Sequence, residues 1–309
     1  MKKNIFKILG LAIVLSFTNC SNDGTLNQEN LSAETSVNSG ELKSKLSSFN
    51  ENFVYKTNNN LTGKKWWQTA LQIAAIATGD ASGAAAGVWA VQGLAGAVGA
   101  ATAGTGYAVV STAAGIIGAA GGSYAAYCST GGSCKGTFAS TSASGSSVIY
   151  DFPKDYDYIE NFGLLHNDAL TNMYLSNNVT SELTWMENNI PDIKQINYKD
   201  DLYNNSEYID IKKKINEITD KYKASNYDAS SLLEDYYKEK MINGNVKDIL
   251  SLYFNATMKA QTFDDYKDIT DKYVFEIENS KLTNNEKESL LASFAVSIQS
   301  YYYWLNLEI

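Results

Sequence analysis

The chain of 309 residues contains no arginine, a single histidine and only two prolines. Without arginine it lacks the side chain that most often binds phosphates and guanine edges through paired hydrogen bonds. Its formal net charge is −9, whereas nucleic-acid binding requires clustered cations. We therefore expect no nucleic-acid partner. With one histidine and no clustered metal-ligand pattern, we also expect no metal and no cofactor.

Charge is distributed unevenly along the chain. Residues 151–309 hold 28 of the 34 acidic residues and 16 of the 25 lysines, so the earlier part is slightly basic. Such asymmetry indicates regions in different environments. Composition predicts five segments: a lipoprotein signal peptide at 1–20, a flexible tether at 21–62, an apolar helical hairpin at 63–136, a linker at 137–154 and an acidic helical domain at 155–309.

The N-terminus has the pattern of a secretory signal. Lysines precede a short apolar run, and Cys20 follows that run directly. The run is shorter than the roughly 20 apolar residues that cross a bilayer. The position of Cys20 resembles the lipobox of bacterial lipoproteins, in which the cysteine is acylated, although Asn19 stands where glycine or alanine is usual. This resemblance implies an outer-membrane lipoprotein of the cell envelope, facing either the periplasm or the cell surface. An ordinary secreted protein with an incidental cysteine is the alternative.

The two other cysteines, Cys128 and Cys134, bracket a short loop of serine, threonine and glycine. A disulfide that closes this flexible loop suits an oxidising compartment, and we predict one here. Two free thiols are the alternative, which fits a secreted protein less well.

Residues 63–136 are rich in glycine and alanine. Sixteen of the 22 glycines lie there, and no charged side chain occurs from 81 to 133. The pattern predicts two helices, Trp66 to about Thr102 and Tyr107 to Tyr127, joined by a turn. Glycines spaced by three or four residues line one face of each helix: Gly79, Gly83, Gly87, Gly115, Gly118 and Gly122. Small residues in such a stripe let helix backbones approach closely, so we predict a hairpin resembling a glycine zipper.

Two environments suit this hairpin. It can contact a membrane or self-associate through residues 66–127, in which case it resembles glycine-zipper bacteriocins or the hydrophobic hairpin of pore-forming colicins. It can equally form part of a packed helical core. Asp80 is the sole charge in a long apolar run, and a charge at mid-bilayer costs about 2.5–3.5 kcal/mol. Asp80 therefore either gates pH-dependent insertion or accepts hydrogen bonds within a helix pair.

Helical periodicity continues from Asp155 to Leu307, and strand signals are scarce. Helix ends carry capping signals: Thr283 with Glu286 forms a capping box, and Gly244 suits a C-cap. The connections are short, which favours antiparallel neighbours. We predict an all-α fold with a Gly/Ala-rich helical hairpin and a C-terminal antiparallel helix bundle.

His166 is the only histidine and lies in a Gly-x-x-His-Asn element that ends at Asn167. This element, with the upstream Gly/Ala-rich region that opens on Lys-Trp-Trp, resembles a family of secreted lipoproteins from Bacteroidota and some Firmicutes, which implies no known activity. His166 could act as a general base with Asp168 or Glu160, but catalysis also requires a nucleophile or an oxyanion site, and none is evident. We expect a structural role, with His166 and Asn167 as the candidate functional residues.

The sequence therefore predicts a non-enzymatic envelope or surface lipoprotein that acts through interaction. Its N-terminal lipid would bind a membrane, while the sequence does not identify a protein partner. The alternative is a membrane-active or self-assembling, bacteriocin-like glycine-zipper protein. A hydrolase that uses His166 is a third hypothesis.

Overall fold

The computed structural model describes residues 28–56, 64–92, 112–116, 118–120, 123, 148, 150, 152–175, 180–190 and 204–306. Throughout these residues the regular structure is helical and no strand occurs, which confirms the predicted all-α class. Several predicted features lie outside the described residues: the signal peptide, Cys20, Gly122, and the cysteine pair Cys128 and Cys134.

The described residues form a set of helices joined by short connections. These are α1 (Gln28–Asn52), α2 (Lys64–Ala90), α3 (Asp157–Ala169), α4 (Glu182–Asn189), α5 (Ser206–Ala224), α6 (Ala229–Lys238), α7 (Gly244–Thr257), α8 (Phe263–Glu278) and α9 (Asn284–Asn306). A 3₁₀ turn at Lys154–Tyr156 precedes α3, and a π-helix at Leu170–Leu175 continues it. Residues 112–116, 118–120 and 123 are also helical and are called the facing segment below.

Helix α2 forms the centre of the fold. Every residue from 73 to 88 is buried, so no face of this stretch meets solvent. A helix that is apolar all round belongs in a core, and its many alanines favour the helix where its glycines do not. Among the described residues, no helix is both long and apolar enough to cross a membrane.

Helix α9 packs against α2 over most of its length and is buried from 289 to 301. The two helices run antiparallel, because Ser289 donates to the carbonyl of Ala85 while Ser300 donates to Asp80. Helix α3 runs parallel to α9, since Asn167 pairs with Gln299 and, one turn later, Thr171 of the π-helix that continues α3 pairs with Tyr303. The seam between α2, α3 and α9 positions the residues considered below.

The remaining helices cover this centre with their apolar faces. Helices α5 and α6 contact α2, and α7 and α8 contact α9. One continuous core joins α2 to the acidic helices, with Leu46, Ile215, Leu233 and Tyr253 among its members. Within the segment predicted as a tether, 21–62, helix α1 packs against α7 and α8.

Capping chemistry determines where the C-terminal helices begin. Thr283 and Glu286 form the predicted capping box: the Thr283 N–H donates to Glu286 Oε2 at 2.8 Å, and the Glu286 N–H donates to Thr283 Oγ1 at 3.3 Å. The prediction for Gly244 was wrong. Gly244 is the first residue of α7, and Asn243 before it is the N-cap. The left-handed residue that follows α6 is Lys240, with φ 58°.

Candidate functional site

The predicted glycine stripe forms a close contact between α2 and the facing segment, which run antiparallel. A Cβ placed on Gly83 would lie 2.8 Å from the carbonyl oxygen of Gly118, and a Cβ on Gly87 would lie 2.5 Å from that of Ala114. Real Cβ atoms do not approach backbone oxygens so closely. Glycine at positions 83 and 87 is therefore what allows the two backbones to meet.

Two other members of the stripe belong to different contacts. A Cβ on Gly79 would lie 3.2 Å from the ring of Tyr222 in α5. A Cβ on Gly115 would lie 3.2 Å from both the Phe162 ring of α3 and the Val88 side chain of α2. The stripe thus serves several interfaces around α2 rather than a single helix pair.

Asp80 lies on α2 at the end of this contact and is fully buried. Its Oδ2 accepts hydrogen bonds from Ser123 of the facing segment at 2.6 Å and from Ser300 of α9 at 2.5 Å. The indole N–H of Trp304 in turn donates to Ser123 Oγ at 3.1 Å. One carboxyl group therefore connects three helical elements.

His166 on α3 faces the same carboxyl group. Its ring is fully buried, and Nε2 lies 3.6 Å from Asp80 Oδ2. Nδ1 lies 3.0 Å from Oδ1 of Asn167, whose Nδ2 donates to the Gln299 carbonyl of α9 at 3.1 Å. The structure thus brings Asp80 together with His166 and Asn167, which the sequence indicated as part of a different element.

One of the two acids that the sequence suggested as partners for His166 has other contacts. Asp168 accepts from the indole N–H of Trp185 at 2.7 Å and from the Asn172 amide at 3.0 Å. Both interactions hold it against α4 and the π-helix. The carboxyl group that faces His166 is Asp80, far away in sequence.

Burial controls the charge state of this cluster. It raises the pKa of Asp80 to about 8, because a desolvated carboxylate is unfavourable, although hydrogen bonds from Ser123 and Ser300 oppose the shift. It lowers the pKa of His166 to about 4, and the hydrogen bond to Asn167 opposes the shift. Both groups are consequently uncharged near neutral pH.

Gly163 explains the spacing of the Gly-x-x-His-Asn element. A Cβ on Gly163 would overlap the carbonyl oxygen of Ala295 and lie 2.5 Å from Gln299 Cγ, so only glycine lets α3 approach α9 this closely. One turn later, His166 faces α2 and Asn167 reaches the backbone of α9. The glycine, the histidine and the asparagine of the element therefore each have a packing or hydrogen-bonding role.

Sequence reasoning missed the cluster's contributions from α9 and the facing segment. Ser300 and Trp304 belong to α9, and Ser123 to the facing segment. A signal existed in α9, whose buried serines recur every three or four residues: Ser289, Ser293, Ser297 and Ser300. This is a small-residue stripe like the one on α2, built from serine instead of glycine.

A shallow hollow elsewhere on the surface is lined by Tyr150, Phe152 and Phe275. Its acid Asp271 pairs with Lys267 at 2.8 Å, so that carboxylate already has a cationic partner. Among the described residues, no group of three or more His, Cys, Asp or Glu side chains could hold a metal ion. The buried cluster of Asp80, His166 and Asn167 is therefore a better candidate site than this hollow.

Comparison with known proteins gives no match. No protein-family model, no curated protein and no solved structure is significantly similar to this chain. Its function has to be inferred from its own residues.

Proposed function

We propose that this protein is a non-enzymatic lipoprotein of the bacterial envelope, held in the outer membrane through Cys20 and acting by interaction of its helical body. The observation that carries the non-enzymatic part is the complete burial of His166 and Asp80, both 0% exposed. A general base must come within hydrogen-bond reach of a substrate proton, and neither of these side chains is accessible from solvent. The side chains that are capable of acid–base chemistry therefore support helix packing rather than catalysis.

The position of α1 supports a body held close to the membrane. Only residues 21–27 separate Cys20 from Gln28, where α1 begins. An extended chain spans at most about 3.6 Å per residue, so acylation at Cys20 would hold α1 within roughly 30 Å of the bilayer. Two or more acyl chains on one cysteine bind stably, because each buried CH₂ contributes about 0.8 kcal/mol.

Metabolic labelling tests the anchor. Cells that express the full chain are fed an alkyne analogue of palmitate and then separated into membrane and soluble fractions. We expect the wild type to carry the label in the membrane fraction, and Cys20→Ser to lose both. Cys128→Ser is the matched control and should keep the label. An unlabelled wild type, or label retained by Cys20→Ser, would refute lipidation at Cys20.

A second candidate function is membrane activity of α2 and the facing segment. It is supported by the close glycine contact at positions 83 and 87 and by the absence of charge between 81 and 92. In this hypothesis the surrounding helices shield the pair from water until it reaches a bilayer. Glycine-mediated packing would then persist between helices in the lipid phase.

Dye release from liposomes separates this candidate from the first. We would compare the wild type with Gly83→Leu, in which the new side chain overlaps the backbone of Gly118. Gly40→Leu is the matched control, because a Cβ at Gly40 meets nothing within 4 Å. Leakage that Gly83→Leu abolishes and Gly40→Leu preserves would support membrane activity. No leakage by the wild type between pH 5 and pH 9 would eliminate it.

A further inference from the structure

The hydrogen-bond directions around His166 determine which ring nitrogen carries the proton. Nδ2 of Asn167 donates to the Gln299 carbonyl at 3.1 Å, which orients the amide so that Oδ1 faces the ring. Because Oδ1 can only accept, the imidazole nitrogen 3.0 Å away, Nδ1, is the protonated one. Nε2 of the neutral ring is therefore left with a lone pair.

That lone pair faces the carboxyl group of Asp80. Nε2 lies 3.6 Å from Asp80 Oδ2, and both side chains are sealed from solvent. Nε2 of His166 and Oδ1 of Asp80 have no hydrogen-bond partner among the described residues. The 3.6 Å separation is longer than a hydrogen bond. A carboxylate next to a lone pair in an apolar core is nevertheless repulsive, whereas a neutral carboxylic acid is not.

We infer that Asp80 is a neutral carboxylic acid facing the neutral ring of His166, and that this uncharged pair is a lock that fastens α2 to α3 and α9. The proton resides on the carboxyl group, while Ser123 and Ser300 donate to its Oδ2. Loss of the proton leaves an uncompensated carboxylate beside the imidazole lone pair. The contact between α2 and α3 then becomes unfavourable. Mild alkali is therefore expected to weaken the packing of these helices, whereas mild acid maintains it.

The other groups that face Asp80 do not supply a compensating charge. Tyr222 of α5 and Tyr236 of α6 are buried phenols, and burial, with a smaller effect of the Asp80 charge, raises the pKa of both. Both phenols therefore remain neutral throughout the range considered. Among the described residues, the facing segment and α9 contribute hydroxyl groups and an indole to this site: Ser123, Ser300 and Trp304.

Nuclear magnetic resonance of the full chain tests the proton's position without any substitution. Because the chain has one histidine, selective ¹⁵N-histidine labelling gives a single pair of ring signals. We expect a protonated Nδ1 and an unprotonated Nε2 at pH 6 and pH 7, with a shift of the Nε2 signal as the pH is raised to 9. An imidazolium, or a ring protonated at Nε2, at pH 6 to 7 would overturn the inference.

A matched pair of variants tests the lock. Asp80→Asn keeps a donor and an acceptor at the same place but does not titrate. Between pH 7 and pH 8 the wild-type folding constant should fall about fivefold relative to that of Asp80→Asn, because one proton is bound on folding with a pKa of about 8. Ser293→Ala, at a buried residue of α9 that carries no titratable group, is the control and should keep the wild-type dependence. Identical pH dependence in wild type and Asp80→Asn would refute the lock.

Discussion

At the residue scale, buried carboxyl groups organise the contacts between helices. Glu286 is 2% exposed, and one of its oxygens accepts from the side-chain amides of Asn243 and Asn245 at 2.7 and 2.8 Å. The other oxygen accepts from the N–H and hydroxyl of Thr283 at 2.8 and 2.9 Å. Each oxygen therefore faces two donors, and an amide nitrogen in either place would oppose them.

We expect Glu286→Gln to lower the free energy of unfolding by about 1–3 kcal/mol, because buried donors lose their acceptor. The measurement is urea denaturation followed by circular dichroism. Glu187→Gln on the exposed face of α4 is the control and should change stability by less than about 0.5 kcal/mol. Equal losses at the two positions would contradict the role given to Glu286.

Replacement by alanine is expected to change the free energy of unfolding in opposite directions at Gly163 and Gly40. Gly163→Ala should lower the free energy of unfolding by about 1–3 kcal/mol, since the new methyl group overlaps the Ala295 backbone and forces α3 from α9. Gly40→Ala should raise it by about 0.5–1 kcal/mol, because alanine favours the helix and the site is open. Thermal denaturation of both variants checks the signs. A stabilising Gly163→Ala would show that α3 and α9 do not touch here.

At the scale of whole helices, the contact between α2 and the facing segment gives a graded prediction. Gly87→Ala should destabilise most, then Gly83→Ala, and Gly79→Ala least. The first two place a methyl group against carbonyl oxygens at 2.5 and 2.8 Å, while the third meets a tyrosine ring at 3.2 Å. Backbone overlap costs about 1–3 kcal/mol, whereas a ring edge can shift by a few tenths of an ångström. Urea midpoints in another order would contradict the proposed helix register.

This contact also shows which interactions residue spacing along a helix can predict and which it cannot. Spacing along one helix places Gly83 and Gly87 on one face, so their close approach to another helix could be predicted. The neighbours of Gly79 and Gly115 could not, because Tyr222 and Phe162 reach them from helices more than 40 residues away in sequence. Only the tertiary arrangement of α3 and α5 decides those contacts.

The buried cluster was likewise only partly predictable from the sequence. Asp80 was visible in the sequence because it is the sole charge in a long apolar run, His166 because it is the only histidine, and Asn167 because it adjoins the histidine. Their meeting was not predictable, because it depends on the packing of α2 against α3. Ser300 is one serine among many on composition alone, and its role follows only from the antiparallel register of α9 on α2.

At the scale of the whole molecule, the cluster links folding to proton binding. The Asp80 pKa rises from 3.8 to about 8 on folding, so its contribution is complete below pH 3.8, declines as the pH rises and is lost above about pH 8. The His166 pKa falls from 6.5 to about 4, so its contribution is present above pH 6.5 and is lost as the pH falls through 4. Between about pH 4 and 6.5 the two effects oppose each other.

This cancellation predicts that the two single variants depart from the wild type in opposite directions in acid. In Asp80→Asn only the histidine effect remains, so its stability relative to the wild type should fall as the pH is lowered from 6.5 to 4. In His166→Gln only the carboxyl effect remains, so its relative stability should rise over the same interval. Each slope should approach 1.4 kcal/mol per pH unit, which is the free energy of one bound proton per unit. Urea titrations at half-unit steps measure both, and slopes of the same sign would mean that the two groups do not titrate as a buried pair.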